Sequence, residues 1–267
     1  MKPFLFLSFT FAVCIANAQQ VYFIPKQFIE PLEILQEAGN PYRDSNQPCR
    51  LEVDSFEVSR QITLGEFKEY IIAIQKDSSA AFCKSQMPDS TITSIEKYKA
   101  YLNNPYYNAY PAAGITWESA MNFCKWKTFK ENNKDPIRFI YRLPKHSEWL
   151  AAYTYLTNHH IKNDFNQHFS DWTMQLYFEG GYSSDSCFVY RDMSYYPIKT
   201  DHPSYHRMVA LGNSFYFQSK LAFRKGYYTF KGYRHIAFRI VKVYLKEKPK
   251  YNFFLNEIFK SWGITKP

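Results

Sequence analysis

Tyr141-Arg142-Leu143-Pro144-Lys145-His146-Ser147-Glu148-Trp149 is the stretch on which the fold reading turns. Apolar and aromatic residues over 138–143 read as a short strand. Pro144 closes it, because proline lacks an N–H and fixes φ near about −65°. A helix is predicted from about Lys145, with Trp149, Ala152, Tyr153 and Leu156 recurring at helical spacing on an inward face. A strand, a proline turn and a helix anchored by a tryptophan therefore follow one another within twenty residues.

Upstream, residues 51–58 alternate apolar and polar, as a half-buried strand does. Thr63-Leu64-Gly65-Glu66 reads as a capping box that opens a helix with Phe67, Tyr70, Ile71 and Ile74 on one face. Residues 76–110 read as a long polar and aromatic loop with one short helix, broken at Asn103-Asn104-Pro105. Thr116 is an N-cap for a second helix that places Trp117, Ala120, Met121 and Cys124 on one buried stripe. Downstream of residue 160 the pattern becomes short aromatic strands. Residues 209–217 and 236–244 are the clearest, and the second is apolar on both faces, as an interior strand is.

The N-terminus has its own logic. Lys2 precedes an apolar run over residues 4–16, and Ala16-Asn17-Ala18 follows as a small-residue cleavage site. This is the layout of a secretory signal peptide over residues 1–18. The run is shorter than the roughly 20 residues a membrane span needs. Cys14 would suit acylation only after a small residue, and Val13 precedes it. The expected organisation is a signal peptide (1–18), a leader with scattered prolines (19–48), one domain (49–245) and a basic, aromatic tail (246–267). The tail's Phe253, Phe254, Ile258, Phe259 and Trp262 suit a terminal amphipathic helix. It would dock on the body or make a peripheral membrane contact.

The mature chain of about 250 residues is long enough for a single α+β unit. Its 23 Tyr and 24 Phe supply bulk for a core. Removal of Lys2 lowers the formal net charge from +9 to +8, which favours acidic partners such as an acidic glycan, an acidic protein face or anionic headgroups. Export makes nucleic acid a poor partner. Cys49, Cys83, Cys124 and Cys187 remain after cleavage, an even number that permits two disulfides in three pairings. Cys124, on the apolar face of its helix, also suits a buried free thiol.

Six blocks in order carry a family resemblance. Phe56 to Phe67 resembles an opening strand and "E-V-T-n-x-E-F" helix start. Tyr110 to Ala120 is similar to "P-V-v-x-V-s-W-x-d-A", continued by Phe123-Cys124-Lys125-Trp126. Tyr141 to Trp149 resembles "Y-R-L-P-T-E-A-E-W", the most specific of the six. Phe169 to Thr173 is similar to "V-S-E-W-T", Leu211 to Phe215 to "R-G-G-S-W", and Ala237 to Val241 to "G-F-R-l-V". Together they cover roughly residues 50–245 and resemble the sulfatase-modifying-factor domain of formylglycine-generating enzymes. The resemblance implies an irregular α+β fold, C-type-lectin-like, with a few helices around small twisted antiparallel sheets.

Formylglycine-generating enzymes oxidise a cysteine of unfolded sulfatases with a cysteine pair that can hold Cu(I), a soft ion suited to thiolates. The pair follows the "G-G-S" block by three residues and then five more. Here those positions are Phe217 and Ala222, which have no metal-ligating atom. Calcium sites of the family use Asn and backbone oxygens where this chain has Gln167-His168. Asp164, Asn166 and Asp171 remain as oxygen donors, with turn and cap roles the stronger reading. His202 and His206 are four apart, but Pro203 separates them, and His159-His160 are adjacent.

No catalytic residue, metal ligand or cofactor is therefore assigned from sequence. The expectation is a non-catalytic structural or binding module of the bacterial envelope, periplasmic or associated with the outer membrane. It resembles gliding-motility lipoproteins of the type IX secretion apparatus. The alternative is a metal-dependent oxidoreductase with a site rebuilt from His202, His206 or Cys187. A sugar-binding module is a third reading by fold analogy. The groove near Phe217 and Ala222 is expected to be plugged, because one of the consecutive Phe215, Tyr216 and Phe217 should point inward on a strand. Export cleavage is testable directly: intact mass of the exported protein should correspond to a chain starting at Gln19, and an uncleaved chain starting at Met1 would refute the signal reading.

Overall fold

The structure, a computed structural model, describes residues 21–29, 51–132, 138–176, 207–216 and 225–245. Within them the chain forms β1 (Val21–Ile24), β2 (Gln27–Ile29), β3 (Leu51–Val53), β4 (Phe56–Ser59), α1 (Leu64–Ile74), α2 (Ala80–Gln86) and α3 (Ile95–Asn103). Then come α4 (Trp117–Glu131), β5 (Phe139–Arg142), α5 (His146–Asn158), β6 (Ser170–Leu176), β7 (Arg207–Leu211), β8 (Lys225–Tyr228), β9 (Ile236–Ala237) and β10 (Val241–Tyr244). The described strands pair in the orders β1-β4-β10-β5, β2-β3 and β8-β7-β6-β9. All pairings are antiparallel except the short parallel contact of β6 with β9. This is an α+β fold of helices packed on small irregular sheets, as the sequence implied.

Local signals explain most elements. The Thr63 hydroxyl accepts from the Glu66 amide at 3.3 Å, and Glu66 Oε2 accepts from the Thr63 N–H at 2.8 Å, which completes the capping box of α1. Thr116 Oγ1 accepts from the Ser119 N–H at 3.0 Å and starts α4. The stripe Trp117, Ala120, Met121 and Cys124 is buried, with Phe123 beside it. At α5 the Glu148 carboxylate reaches back to the Lys145 N–H at 2.8 Å. It also takes two charge-assisted hydrogen bonds of 2.6 Å from Arg142. Pro144 O accepts from Met174 N at 2.9 Å, which ties the proline turn to β6.

Four expectations are corrected. Residues 51–58 are not one strand but two, β3 and β4, in different sheets. Residues 236–244 likewise divide into β9 and β10, with 238–240 bonded instead to 59–62 through Ser59 N to Ile240 O and Ile62 N to Phe238 O, both 2.9 Å. Residues 76–110 hold α2, α3 and two 3-10 turns, Ser90–Ile92 and Pro105–Ala109. Ser79, Asp89, Ser94 and Asn104 cap these four, while their faces are mostly exposed, so no apolar stripe advertises them. The folded unit also begins before residue 49: β1 and β2, placed in the leader, pair with β4 and β3.

Two buried clusters meet across β7, whose Met208 and Ala210 belong to one and Val209 and Leu211 to the other, and at Val243 of β10. One gathers α1, α4 and residues 236–240; the other gathers β1 to β4 and α5. Consecutive residues of β6 serve three tryptophans: Asp171 Oδ2 accepts from Trp149 Nε1 at 2.8 Å, Thr173 O accepts from Trp117 Nε1 at 2.9 Å, and Trp172 donates to Ile115 O at 2.9 Å. Asp171 also accepts from Arg239 Nε at 2.8 Å and from Gln61 Nε2 at 2.8 Å, all side chains fully or almost fully buried. Arg239 extends to Asp164 Oδ1 at 3.0 Å and lies over the Phe165 ring, 3.5 Å from its centroid. Burial pushes the Asp171 carboxyl up against the pull of Arg239, Trp149 and Gln61. Removing one partner leaves the other charge buried and uncompensated.

Arg239→Leu should therefore cost about 3–5 kcal/mol in chemical denaturation, and the double variant with Asp171→Asn should recover part of it. Equal losses that simply add would show that the two residues are not coupled. A second prediction concerns pH. Burial alone would raise the Glu148 carboxyl, but Arg142 and the Lys145 amide hold it below the usual carboxylate range. A carboxylate depressed in the fold stabilises above its unfolded pKa of about 4.3, and this is lost as pH falls through the folded value. The stability gap between wild type and Glu148→Gln should be widest at neutral pH and narrow in acid; a gap constant from pH 7 to pH 3 would refute the assignment.

Candidate functional site

The end of β7 is the place where the sequence resemblance would put chemistry. Gly212 has φ +89°, and a Cβ there would come within 2.9 Å of Trp149 Cζ2. Only glycine combines that left-handed turn with that approach. The turn ends β7 at Leu211, so Ser214, Phe215 and Tyr216 do not continue a strand. Asn213 N donates to Asn166 Oδ1 at 2.7 Å, and Phe215 N donates to His168 O at 2.9 Å. Asn166 is itself left-handed, at φ +55°. With strand alternation lost, Phe215 and Tyr216 both face outward, 54% and 57% exposed. Neither Phe215 nor Tyr216 points inward as strand alternation would require; Phe217 and Ala222, on which the rest of the expected plug falls, lie outside the described residues.

These two rings open a continuous aromatic surface. Phe215 meets Phe169 edge-on at 5.7 Å, and Tyr216 stacks on His235 at 5.3 Å with 21° between planes. His235 lies 5.5 Å from Tyr227 and 6.1 Å from Tyr233, which contact each other at 4.7 Å. Beneath them Trp172 touches both at 6.0 Å, so the surface is rooted in the core. Cations sit over its rings. Arg234 is 5.4 Å from the Phe215 centroid and 5.6 Å from that of Tyr216, Lys231 is 5.9 Å from Tyr233, and Arg207 is 5.8 Å from Tyr228. The turn between β8 and β9 is held in place by Asp89, whose Oδ2 accepts from Gly232 N at 3.2 Å. A Cβ on Gly232 would collide with the Gly114 carbonyl.

The chemistry on offer is stacking and cation contact. His235 Nε2 is 3.1 Å from the Tyr227 hydroxyl, but burial, aided by Tyr233, pushes that phenol up to about 12, so it stays protonated near neutral pH. The oxygen donors named from sequence are engaged otherwise. Asp164 Oδ2 accepts from Gln61 N at 2.7 Å and its other oxygen from Arg239, while Asp171 is enclosed by Trp149, Gln61 and Arg239. The structure joins Asp164 and Asp171 through Arg239 and sets Asn166 on the neighbouring turn. His159 and His160 end α5, with His159 Nδ1 2.8 Å from Tyr155 O. Among the described residues no group of three His, Cys, Asp or Glu is placed to hold a metal ion.

Cys83 is half-buried and Cys124 is buried, and both are free thiols. Burial pushes the Cys124 thiol far up, as an inert core cysteine requires. Cys49, Cys187, His202 and His206 lie outside the described residues. A Cu(I) centre of the family type does not fit the donor set, since a phenyl ring and a methyl group stand at the two thiolate positions. Sequence reasoning missed Tyr227, Tyr233, Arg234 and His235, because they lie on a four-residue strand and the turn that follows it. The dense alternation in Lys225-Gly226-Tyr227-Tyr228-Thr229-Phe230-Lys231-Gly232-Tyr233-Arg234-His235 was the available signal.

No curated protein sequence matches the chain. Among solved structures, Treponema denticola variable protein 1 is similar at 12% identity and TM-score 0.49, covering 84% of this chain and 95% of that one. The protein CarF is similar at 10% identity and TM-score 0.49, covering 84% of this chain and 98% of its own. Residues 25–243 match the sulfatase-modifying factor enzyme 1-like domain over most of the chain, so β2 to β10 form a domain of that kind, and the chain belongs to the sulfatase-modifying factor enzyme 1-like family.

Proposed function

We propose that this protein is an exported, non-catalytic binding module of the bacterial cell envelope, and that the aromatic and cationic surface at the end of β7 is its binding face. The observation that carries the reading is the outward turn of Phe215 and Tyr216 beside Arg234, at the place where the family's oxidases carry their chemistry. Exposed rings joined to a core through Trp172 form a pre-organised contact surface, which lowers the cost of ordering side chains on binding. Phe217 and Ala222 remove the sulfur donors of the oxidase reaction.

The N-terminal segment supports export to the periplasm or outer membrane. No helix of the described residues is long and apolar enough to cross a membrane, which suits a peripheral role. The resemblance to gliding-motility lipoproteins supports a part in assembling a type IX secretion apparatus, with an envelope protein or an acidic glycan as partner.

Envelope extract passed over the immobilised mature protein should yield a specific partner or glycan, and Phe215→Ala with Tyr216→Ala should reduce its recovery at least about tenfold, as loss of central aromatic anchors does. Equal recovery by wild type and variant would overturn the assignment of the face. Purified protein should carry sub-stoichiometric copper and iron and consume no oxygen. Stoichiometric metal with oxygen uptake would replace this reading with a rebuilt oxidase.

A further inference from the structure

The charge of the chain is unevenly placed. Between Asp201 and Glu247 there are nine Lys or Arg and no Asp or Glu, an excess equal to the formal +9 of the whole chain. Among the described residues, Arg239 is paired with Asp171 and Asp164, and Lys242 with Glu57 at 3.7 Å. Others come to the surface at the turn between β8 and β9. Arg234 and Lys231 are exposed there, and Arg234 meets no carboxylate among the described residues. The two carboxylates that meet this turn are engaged there: Asp89 accepts from the Gly232 amide and from Thr91, and Glu118 accepts from the Thr229 hydroxyl at 3.4 Å.

The same turn carries the exposed rings. Phe230 is 64% and Tyr228 38% exposed, 5.5 Å apart. A pyranose presents an apolar C–H face that stacks on such rings. Arg234, resting on two rings, keeps its guanidinium donors for a planar anion, and a carboxylate or sulfate matches that fork.

We infer that this face binds an anionic polysaccharide, with sugar rings stacked on Phe215 and Tyr216 and carboxylate or sulfate groups held by Arg234 and Lys231. The inference rests on the binding-module reading and narrows its partner. Two exposed rings with one guanidinium over both suit a polymer of acidic sugars, whose C–H faces stack while its anions meet the arginine; an acidic protein needs a broad, closely packed interface of about 800 Å² per partner.

Titration calorimetry on the mature protein tests it with polygalacturonate, dextran sulfate, neutral dextran and a single-stranded oligonucleotide of matched charge. Polygalacturonate or dextran sulfate should bind, more weakly as salt screens the charges. Arg234→Gln should weaken binding about tenfold through loss of a charge-assisted pair. Phe215→Ala with Tyr216→Ala should do the same, whereas Lys130→Gln on α4 should change nothing. All variants alter exposed side chains, and their melting curves report that they remain folded. Equal binding of neutral dextran, or equal binding of the oligonucleotide, would overturn the inference. Recovery of an envelope protein through Phe215 and Tyr216 with no polysaccharide binding would overturn it while leaving the binding-module reading standing. If neither polysaccharide nor envelope partner depends on these residues, both fall.

Discussion

Everything irregular in this fold is organised around the carboxylate of Asp171. It stands on β6, beside Trp172 of the first buried cluster, and receives Trp149 from α5, Gln61 from the approach to α1 and Arg239 from the bend before β10. A carboxylate carries about four acceptor positions, and three are filled by donors from separate parts of the chain. A charge so deeply buried is tolerable only with its partners in place. The network therefore specifies a geometry more than it adds stability. It fixes where 238–240 must run, and this is why residues 236–244 divide between two sheets.

The same constraint shapes the surface. Trp149 is held against Asp171 by its indole N–H, and its ring leaves room above it only for a glycine at position 212. The left-handed turn at Gly212 then throws Phe215 and Tyr216 outward. Asp171, Trp149, Gly212 and the exposed rings form one chain of cause, from a buried ion pair to a contact surface. The family scaffold is kept by this network independently of any oxidase chemistry, because none of these groups is a thiol.

Much of the architecture was legible because its signals are local. Thr63 and Glu66 satisfy each other three residues apart, Thr116 caps its own helix, and Trp117, Ala120, Met121 and Cys124 share a face by helical spacing alone. What escaped was non-local or faint. Helices α2 and α3 present few buried residues, so their polar caps were the sole markers. The strand over 51–58 looks continuous, yet its halves bond to β2 and β1 in different sheets. The outward aromatic surface was hidden because alternation was assumed to run past Leu211.

The sequence by itself determined the class of fold, the helix starts, the proline turn, the buried Cys124 and the absence of sulfur at positions 217 and 222. These follow from residue identity and from interactions within about four positions along the chain. Only the tertiary structure decided that Asp171 and Arg239, 68 residues apart, are partners. It alone decided that Asp164 serves that arginine and that Phe215, Tyr216, Arg234 and His235 share one surface. Such juxtapositions depend on how separate segments close on one another, and the burial of charge and indole that enforces them has no periodicity for a sequence to display.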